Sequence, residues 1–410
     1  MSKFHRGYKF RIYPTEEQAK RIDDIIDFAR FAYNWAIAKE IEIYELKQAG
    51  LSEYDFYNYI DLDREFRKEC NSNPKLAWIR EEKFPVNTAK MIFRNVESGY
   101  RRFFDKQNPG KPTFKKKNKC KKAFNTRGAR FYVKNNKLRM EGLPRRDYID
   151  LGFETGLNLD KAINPVISKD NLGNYYASFS LEEESKSLDI PKSEPIGIDL
   201  GIRQTIVLSD GTVYNQPKEK LARLERKRSK LQQHVTRDIK RRIEEADRTK
   251  AKYEDIPKSK RAIKREIKLK KVYKKIHNIK NTFYHTITKR IVERNPEYVC
   301  METFSVREIQ RTEPYMSDKL AQVSFYDITQ KMKYKCKNND ILFIQAPTEF
   351  ASTKTCSNCG SIKNMDGKHT YICPVCGMVE DRDVNAAKNL KQYGLDLLYS
   401  NIGKVDSFIY

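Results

Sequence analysis

The stretch Ile196-Gly-Ile-Asp-Leu-Gly201 decides the fold of the second half of this 410-residue chain. It follows Pro191-Lys-Ser-Glu-Pro195, which is typical of a linker, and it reads as a short apolar strand that ends in Asp199. A second strand, an Asp210-Gly211 turn and a third strand come next, as in a hairpin. Tyr298-Val-Cys-Met-Glu302 is a later apolar strand that also ends in an acid. A strand, a hairpin and two later acids are the order of an RNase H-like α/β core.

Three carboxylates mark these segments. Asp199 and Glu302 each end an apolar strand, and Asp383 opens a helix-like stretch that runs to Leu390. A carboxylate at the end of an apolar strand loses hydration, which a nearby cation offsets. Three such groups at one sheet edge predict a catalytic site that holds two Mg²⁺ ions about 4 Å apart and cleaves phosphodiesters.

Alternatives remain for each acid taken alone. An Asp before a glycine turn, or a Glu that ends a strand, is more often structural, because buried polar groups commonly cap backbone amides. Glu380 and Asp381 lie in the same loop as Asp383, and spacing alone does not choose between Asp381 and Asp383. The three positions are therefore informative only as a set.

Four cysteines have the spacing of a metal site. Cys356 and Cys359 are followed, after thirteen residues, by Cys373 and Cys376, and a glycine comes directly after each pair. Two thiolates three positions apart occupy adjacent corners of a tetrahedron, so the pattern predicts a structural zinc ribbon with a closed shell. His369 is an unnecessary fifth candidate. The other four cysteines are scattered, which indicates thiols rather than a disulfide scaffold.

The charge of the chain predicts a polyanionic partner. Lys and Arg number 81 against 55 Asp and Glu, a formal charge of +26. Residues 218–280 alone contain 25 Lys or Arg against 9 Asp or Glu, on sequence that reads as helical with a break near Pro257. No run of about 18 apolar residues and no signal sequence is present, so we expect nucleic acid rather than a membrane as partner, and a cytoplasmic protein.

The first half of the chain divides into a helical unit and a β-rich unit. A strand at 8–13 stops at Pro14, and Thr15 is placed to cap a helix with an acidic first turn. Residues 15–104 show helical periodicity, whereas 105–190 contain short alternating segments typical of a small β-barrel or sandwich. A Lys-rich stretch from Lys111 to Lys122 carries phosphate-binding candidates, Lys115 and Lys116, with aromatic rings that could stack on bases: Phe103, Phe104, Phe114 and Phe124.

In combination, these motifs resemble TnpB, the insertion-sequence-encoded relative of compact type V CRISPR effectors. The resemblance is carried over nearly the whole chain by Tyr8-Lys-Phe-Arg-Ile-Tyr-Pro-Thr15, Arg30-Phe-Ala-Tyr-Asn-Trp35, Gly110-Lys-Pro-Thr-Phe-Lys115, Gly197-Ile-Asp-Leu-Gly201, Met301-Glu302, the two cysteine pairs and Asp381-Arg-Asp-Val-Asn-Ala-Ala387.

The resemblance implies an α+β multidomain protein. Its parts would be a wedge-type β-barrel at 1–14 and 105–190, an inserted helical recognition domain at 15–104, and a RuvC-like nuclease domain at 191–350 and 381–410 with the zinc ribbon inserted at 351–380. It implies an Mg²⁺-dependent RNA-guided DNA endonuclease, with a transposon-end-derived guide RNA and double-stranded DNA as partners and one protomer for each RNA. Such a protein works in a bacterial or archaeal cytoplasm, at the nucleoid when it is bound to DNA.

The resemblance also implies roles for individual residues. The family's catalytic aspartate is followed by x-Asn-Ala-Ala, so the role falls to Asp383 and not to Asp381. By position, the residues that read the short motif beside the target would be Tyr54, Lys90, Asn125 and Thr126. Arg382 would hold a scissile phosphate, with a plain salt bridge as the equal alternative.

Three rival interpretations remain at the level of sequence. RNase H-like cores with three acids also occur in transposases, which join strands without RNA. A nuclease-inactive RNA-guided DNA-binding protein would use the same core as a scaffold, and replacing Asp199 would then change nothing. A CRISPR-linked effector would share all of this chemistry and differ only in its neighbouring genes.

Overall fold

The computed structural model describes residues 3–51, 53, 56–106, 110–126, 131–134, 136–152, 156, 161–184, 190–303, 324–364 and 369–400. The chain folds as two compact units, one of residues 3–183 and one that includes residues 184–410. Every helix in the described ranges is too short or too polar to traverse a lipid bilayer.

The first unit begins with a strand and a group of helices. Its elements are β1 (Lys3–Ile12), α1 (Glu16–Gln48), α2 (Tyr59–Ser72), α3 (Trp78–Glu81) and α4 (Val86–Phe104). Thr15 caps α1 as predicted, because its side chain accepts the backbone N–H of Gln18 while the Gln18 side chain accepts that of Thr15. The glutamates of the first turn favour the same end of the helix.

Two small antiparallel sheets complete the first unit. Its remaining strands are β2 (Lys122–Asn125), β3 (Tyr132–Lys134), β4 (Lys137–Arg139), β5 (Ile149–Asp150), β6 (Ile163–Lys169) and β7 (Tyr175–Glu184). They form a four-stranded sheet in the order β1-β7-β6-β2 and a three-stranded sheet in the order β3-β4-β5. A bridge between Tyr13 and Asp150 links the end of the first strand to the second sheet.

The aromatic rings near the Lys-rich stretch mostly belong to the interior of this unit. Phe124 is 2% exposed and lies in the core, so the expectation that it stacks on bases is wrong. Phe104 is partly buried and stacks on Phe56, with ring centroids 5.7 Å apart. Of the four predicted rings, Phe114 is the one that is largely exposed. Packing of the helices against the sheet explains the difference, because β2 presents Phe124 inward.

A five-stranded mixed sheet organises the second unit. Its strands are β8 (Ile196–Asp199), β9 (Ile206–Leu208), β10 (Val213–Tyr214), β11 (Tyr298–Glu302) and β12 (Leu342–Ala346), in the order β10-β9-β8-β11-β12. β8, β11 and β12 run parallel, while β9 pairs antiparallel with β8 and with β10. The central parallel strands are covered on both faces, as their nearly continuous apolar sequences predict.

Helices pack on both faces of this sheet. α6 (Lys260–Glu293) and α7 (Phe325–Asn338) share a core with Val299 and Met301 of β11. α8 (Arg382–Ser400) packs on the opposite face, where Leu390 meets Tyr298 and Cys300. Alternate residues of one strand thus serve two separate cores.

A long basic hairpin interrupts the sheet between β10 and β11. It consists of α5 (Lys218–Thr249) and α6, which Pro257 separates as predicted. Leu221, Val272 and Ile276 form a small core between the two helices near the sheet. At the other end the buried Arg242 donates hydrogen bonds to the carbonyl oxygens of Tyr253 and Ile256. These bonds give hydrogen-bond partners to two backbone carbonyl groups in the turn between the helices.

Candidate functional site

Two of the predicted carboxylates lie side by side where adjacent parallel strands end. Ile198 of β8 pairs with Met301 of β11, and the next residue on each strand is Asp199 and Glu302 respectively. Because parallel strands present their carboxyl ends at one edge, both side chains are delivered to the same place. Asp199 is 6% exposed and Glu302 is partly buried.

The third carboxylate reaches this edge from a helix. Asp383 is the second residue of α8 and is 3% exposed. α8 crosses β8 at Gly197, where a Cβ atom would lie 1.9 Å from the carbonyl oxygen of Ala387. A further glycine, Gly394, faces the ring of Tyr298 at the next contact. These close approaches seat the helix against the strands and carry Asp383 toward Asp199.

Burial raises the pKa values of Asp199 and Glu302, and neighbouring carboxylates add to the effect at Asp199. Desolvation, followed by the charges of Asp383 and Glu302, raises the pKa of Asp199 to about 8. Desolvation raises the pKa of Glu302 to about 7. A group with such a pKa pays a free-energy cost for ionising, and a bound cation is the usual means of removing that cost.

Two arginines partly neutralise Asp383. Nε and Nη2 of Arg382 donate to its Oδ1 at 3.1 and 3.0 Å. Nη2 of Arg203, from the loop after β8, donates to Asp383 Oδ2 at 3.3 Å and to Asp381 Oδ2 at 2.9 Å. The salt-bridge alternative for Arg382 is thus present in the structure, and Arg203 is a cation at this edge that sequence reasoning missed.

Asp381 has a different position from Asp383. It ends the short strand β14 (Val379–Asp381), and its Oδ1 accepts the backbone N–H groups of Asp383 and Val384 at 2.9 and 3.3 Å. This is the geometry of a helix N-cap. One carboxylate therefore caps α8 while the other is buried beside Asp199, which gives a physical difference where spacing alone gave none.

The four predicted cysteines come together in one compact group. Their Sγ atoms all lie within 4.8 Å of one another, and the pairs Cys356–Cys376 and Cys359–Cys373 are 3.6 Å apart. A tetrahedron with metal–sulfur bonds of about 2.3 Å has edges of about 3.8 Å, so the group fits one zinc ion. Among the described residues no other group of three or more potential ligands is this compact, and His369 is not part of it.

The backbone around the cysteines repeats itself. Gly360 and Gly377 have positive φ angles of 74° and 73°, and their N–H groups donate to the carbonyl oxygens of Cys356 and Cys373. Backbone N–H donation from Cys376 is the largest of the effects that lower the pKa of Cys373, to about 5. The glycines thus allow the backbone to turn after each cysteine pair, and the turn favours a thiolate at Cys373.

Some predicted nucleic-acid residues line a cavity of the first unit. Lys115 and Asn125 border a cavity of about 420 Å³ together with Arg30, Tyr33 and Asn95. Lys115 is exposed as a whole residue, but its Nζ lies 3.5 Å from the centre of the Tyr33 ring, and desolvation there lowers the pKa of this lysine. Two candidates that are ten residues apart in sequence therefore face the same space.

The other candidates are more scattered. Lys116 is exposed, whereas Lys90 is partly buried with Nζ 5.7 Å from the centre of the Tyr59 ring. Thr126 is 2% exposed, and its hydroxyl oxygen is buried without a hydrogen-bond partner. Tyr54 lies outside the described residues.

Two buried asparagines of α8 were also missed. Asn385 and Asn389 are 0% and 5% exposed and bond to the backbone that flanks Cys356. Their spacing was a usable signal, because asparagine is unfavourable inside a helix and two on one apolar face indicate buried amides with fixed partners.

Two family models match parts of this chain. One, described as "Cas12f1-like, TNB domain", matches residues 325–390, which comprise α7, β12, the cysteine group and the start of α8. The other, described as "Helix-turn-helix domain" and of the OrfB type, matches residues 1–48. In that range the structure has the strand β1 and the single helix α1.

Relatives and one solved structure agree with these matches. A Streptomyces pristinaespiralis protein named "Putative RNA-guided DNA endonuclease" is 25% identical over 403 residues, which cover 96% of this chain and 90% of the relative. A "TnpB-like protein" of Acanthamoeba polyphaga mimivirus is 32% identical over 146 residues, 34% of this chain and 28% of the relative. A Cas12f1 chain, solved in a complex with guide RNA and target DNA, matches 92% of this chain and 83% of its own length, with a TM-score of 0.58 and 13% identity.

The structural match defines the class, a mixed α/β multidomain fold shared with compact Cas12 effectors. Within that class the resemblance to TnpB that the sequence motifs predicted is confirmed.

Proposed function

We propose that this chain is an RNA-guided DNA endonuclease. A guide RNA pairs with the target strand next to a short duplex motif, and a two-metal RuvC site hydrolyses DNA phosphodiesters. The observation that carries the proposal is the convergence of Asp199, Glu302 and Asp383 at one edge of the mixed sheet. The full-length similarity to a protein named as an RNA-guided DNA endonuclease supports the same activity.

The sheet supports the assignment of an RNase H-like core. The strands β8, β9 and β10 followed by β11 have the order that the sequence predicted, whereas β12 and the helices on both faces of the sheet were not predicted. In this proposal residues 191–350 and 381–410 form the nuclease domain and 351–380 the zinc ribbon. The first unit supplies the wedge-type barrel and the helical recognition domain.

The three carboxylates would hold the catalytic cations, which we propose are Mg²⁺. Oxygen donors suit this ion. Desolvation raises the pKa values of Asp199 and Glu302, with added repulsion from Asp383 and Glu302 at Asp199, and a bound cation would offset both effects. When bound, such ions activate water and stabilise the leaving oxygen. The four cysteines would hold a structural zinc ion.

The protein's own groups would perform the remaining tasks. Asp381 caps α8 and so fixes the direction of the Asp383 side chain. Arg203 and Arg382 form ion pairs with Asp383, and their guanidinium groups would also bind a DNA phosphate. The basic hairpin α5–α6 would contact backbone phosphates, and its binding should weaken steeply with salt. A substrate of cellular DNA implies that the protein acts in the cytoplasm, at the nucleoid.

The proposal is tested by cleavage of a plasmid library with a fixed target beside randomised flanks. Protein co-expressed with its native flanking DNA is assayed in Mg²⁺ as wild type, as Asp199→Ala and as Glu293→Gln. Glu293 is an exposed carboxylate at the end of α6 and serves as the control for loss of an acidic group. Breaks that need the RNA, select one flanking motif, and vanish only in Asp199→Ala would support the guided nuclease.

Other outcomes would favour a different function. Breaks without RNA, or joined strands, would favour a transposase. Tight RNA and DNA binding without cleavage by the wild type would favour the nuclease-inactive binding protein.

A further inference from the structure

The helix that carries Asp383 is attached to the cysteine group along one side. β14 leads into α8 without an intervening residue, since the strand ends at Asp381 and the helix begins at Arg382. The backbone N–H of Arg382 donates to the carbonyl oxygen of His369 at 2.8 Å, just before the partner strand β13 (Thr370–Ile372). The start of the helix is therefore an extension of the hairpin that contains Cys373 and Cys376.

A second attachment is made by side chains. Asn385 Nδ2 donates to the carbonyl oxygen of Thr355 at 2.8 Å, and its Oδ1 accepts the N–H of Ser357 at 2.9 Å. Asn389 Nδ2 donates to the carbonyl oxygens of Ser352 and Thr355, both at 2.7 Å. These two asparagines thus bind the backbone on both sides of Cys356, the residue of the first cysteine pair that is buried.

Both attachments hold the first two turns of α8, and Asp383 lies between them. Asn385 is two residues from Asp383, and its amide makes two hydrogen bonds in a fully buried environment. Buried amides satisfied in this way are rigid, because any rotation leaves a donor or an acceptor without a partner. A shift of the backbone around Cys356 would therefore be passed to the helix.

We propose that the cysteine group is the positioning device for Asp383, acting through Asn385 and Asn389, so that zinc binding by the cysteines and divalent-cation binding by the carboxylates are thermodynamically coupled. The inference rests on the proposed function, since it assumes that the carboxylates bind a cation. Asn385 and Asn389 are positioning residues in this account, because they act through the helix and not on substrate.

The coupling between zinc binding and Mg²⁺ binding has an expected size, and thermodynamics requires it to be equal in both directions. Residues that orient metal ligands typically change metal affinity by about 10- to 100-fold. If zinc tightens Mg²⁺ binding by some factor, Mg²⁺ must tighten zinc binding by the same factor. Both effects should disappear when the asparagines are removed.

The first experiment measures Mg²⁺ affinity by calorimetry on zinc-loaded, full-length protein. The variants are Asn385→Ala combined with Asn389→Ala, and Asn339→Ala as control. Asn339 also donates a side-chain hydrogen bond to a backbone carbonyl, that of Lys335, but at the end of α7. We expect the double variant to keep one zinc per chain and normal RNA affinity, and to bind Mg²⁺ about 10- to 100-fold more weakly. Its cleavage should recover as Mg²⁺ is raised.

The second experiment measures zinc affinity of the wild type with and without saturating Mg²⁺. We expect Mg²⁺ to tighten zinc binding by at least about tenfold, and to do nothing in Asp199→Asn. Mg²⁺ affinity within twofold of the wild type in the double asparagine variant would overturn the proposal, as would zinc affinity that is independent of Mg²⁺ in the wild type. If the double variant loses zinc or unfolds, the zinc affinity of the wild type with and without Mg²⁺ still tests the proposed coupling.

Failure of this inference is distinguishable from failure of the proposed function. A wild type that cleaves RNA-selected DNA but shows no coupling leaves the nuclease standing and removes the positioning role. A wild type that shows coupling but no cleavage would keep the positioning role and remove the nuclease function.

Discussion

The cysteine group and the carboxylate group are built in opposite ways. The four cysteines lie within 21 consecutive residues, and two glycine turns bring their sulfur atoms within 4.8 Å of one another. The three carboxylates come from two strands and a helix that span residues 199–383, and each depends on packing against the sheet. In a site made by local turns, the sequence spacing fixes the positions of the ligand atoms. In a site made by distant elements, those positions depend on how the core packs the elements together.

The largest effect expected from this contrast is on cleavage. Asp383→Asn removes a negative charge from the carboxylate group and should lower the cleavage rate by about three orders of magnitude, because the proposed cations would lose an anionic ligand. Asp381→Asn keeps a good helix cap and should stay within about tenfold of the wild type. Single-turnover cleavage with a pre-bound guide RNA makes the comparison. Equal losses in the two variants would contradict the different roles given to these acids.

Packing of α8 against the sheet should affect the carboxylate group more than the cysteine group. Gly197→Ala places a methyl group against the backbone of Ala387 and Lys391, so it should destabilise the second unit by about 3 kcal/mol and abolish Mg²⁺ binding. The cysteine group should still take up zinc, since its turns are local. Calorimetric melting and metal content provide the measurements. Gly7→Ala, where an added Cβ meets nothing within 4 Å, is the control.

The two sites should respond to pH with opposite signs. The folded-state pKa values of Asp199 and Glu302, about 8 and about 7, lie above those of an unfolded chain, so their protonated forms favour folding. That stability is complete below about pH 4 and is lost as pH rises through 7 and 8. Without divalent cations we expect the stability of the second unit to fall between pH 5 and 8, and to fall less in Asp199→Asn. Zinc, by contrast, should be released as pH falls, because thiolates become protonated.

Melting temperatures across pH 5–8 test this difference. Added Mg²⁺ should restore stability at pH 8 in the wild type but not in Asp199→Asn. A wild-type curve that is flat, or that rises with pH, would show that the carboxylates are not held protonated.

The smallest effect concerns the residue at the junction of the two sites. Asp381→Ala removes the cap of α8 and should lower stability by about 1 kcal/mol, while Asp381→Asn should be nearly neutral. Thermal melting of the zinc-loaded protein is sufficient to detect it. If both substitutions cost the same, the ion pair with Arg203 is the more important contact of this residue.

Sequence reasoning succeeded where the signal was local. The cysteine pairs, the cap at Thr15 and the strand Tyr298–Glu302 were all predicted from spacing and periodicity. Convergence of Asp199 and Glu302 at one sheet edge was inferred from the order of segments, whereas the parallel pairing of their strands and its register were not. In each of these cases the residues that interact are close together in the sequence, so their spacing is enough to predict the local structure.

Contacts between distant segments were the ones that sequence missed. Arg203 meets Asp381 and Asp383 across about 180 residues, and nothing in its neighbourhood distinguishes it from many other basic residues. Phe124 was assigned to bases because it lies among lysines, yet strand alternation points it into the core. Which face of a short strand is buried depends on the partner that covers it, and sequence does not name that partner.

The basic hairpin α5–α6 leaves the sheet after β10 and returns to it at β11, next to β8. Its two arms pack on each other, and the small core of Leu221, Val272 and Ile276 lies near the sheet. We expect that matched helical turns beyond that core can be removed or added without moving either strand end, because those turns lie outside the sheet. We therefore expect the hairpin to be the part of this fold that varies in length, while the strand ends that carry Asp199 and Glu302 keep their places.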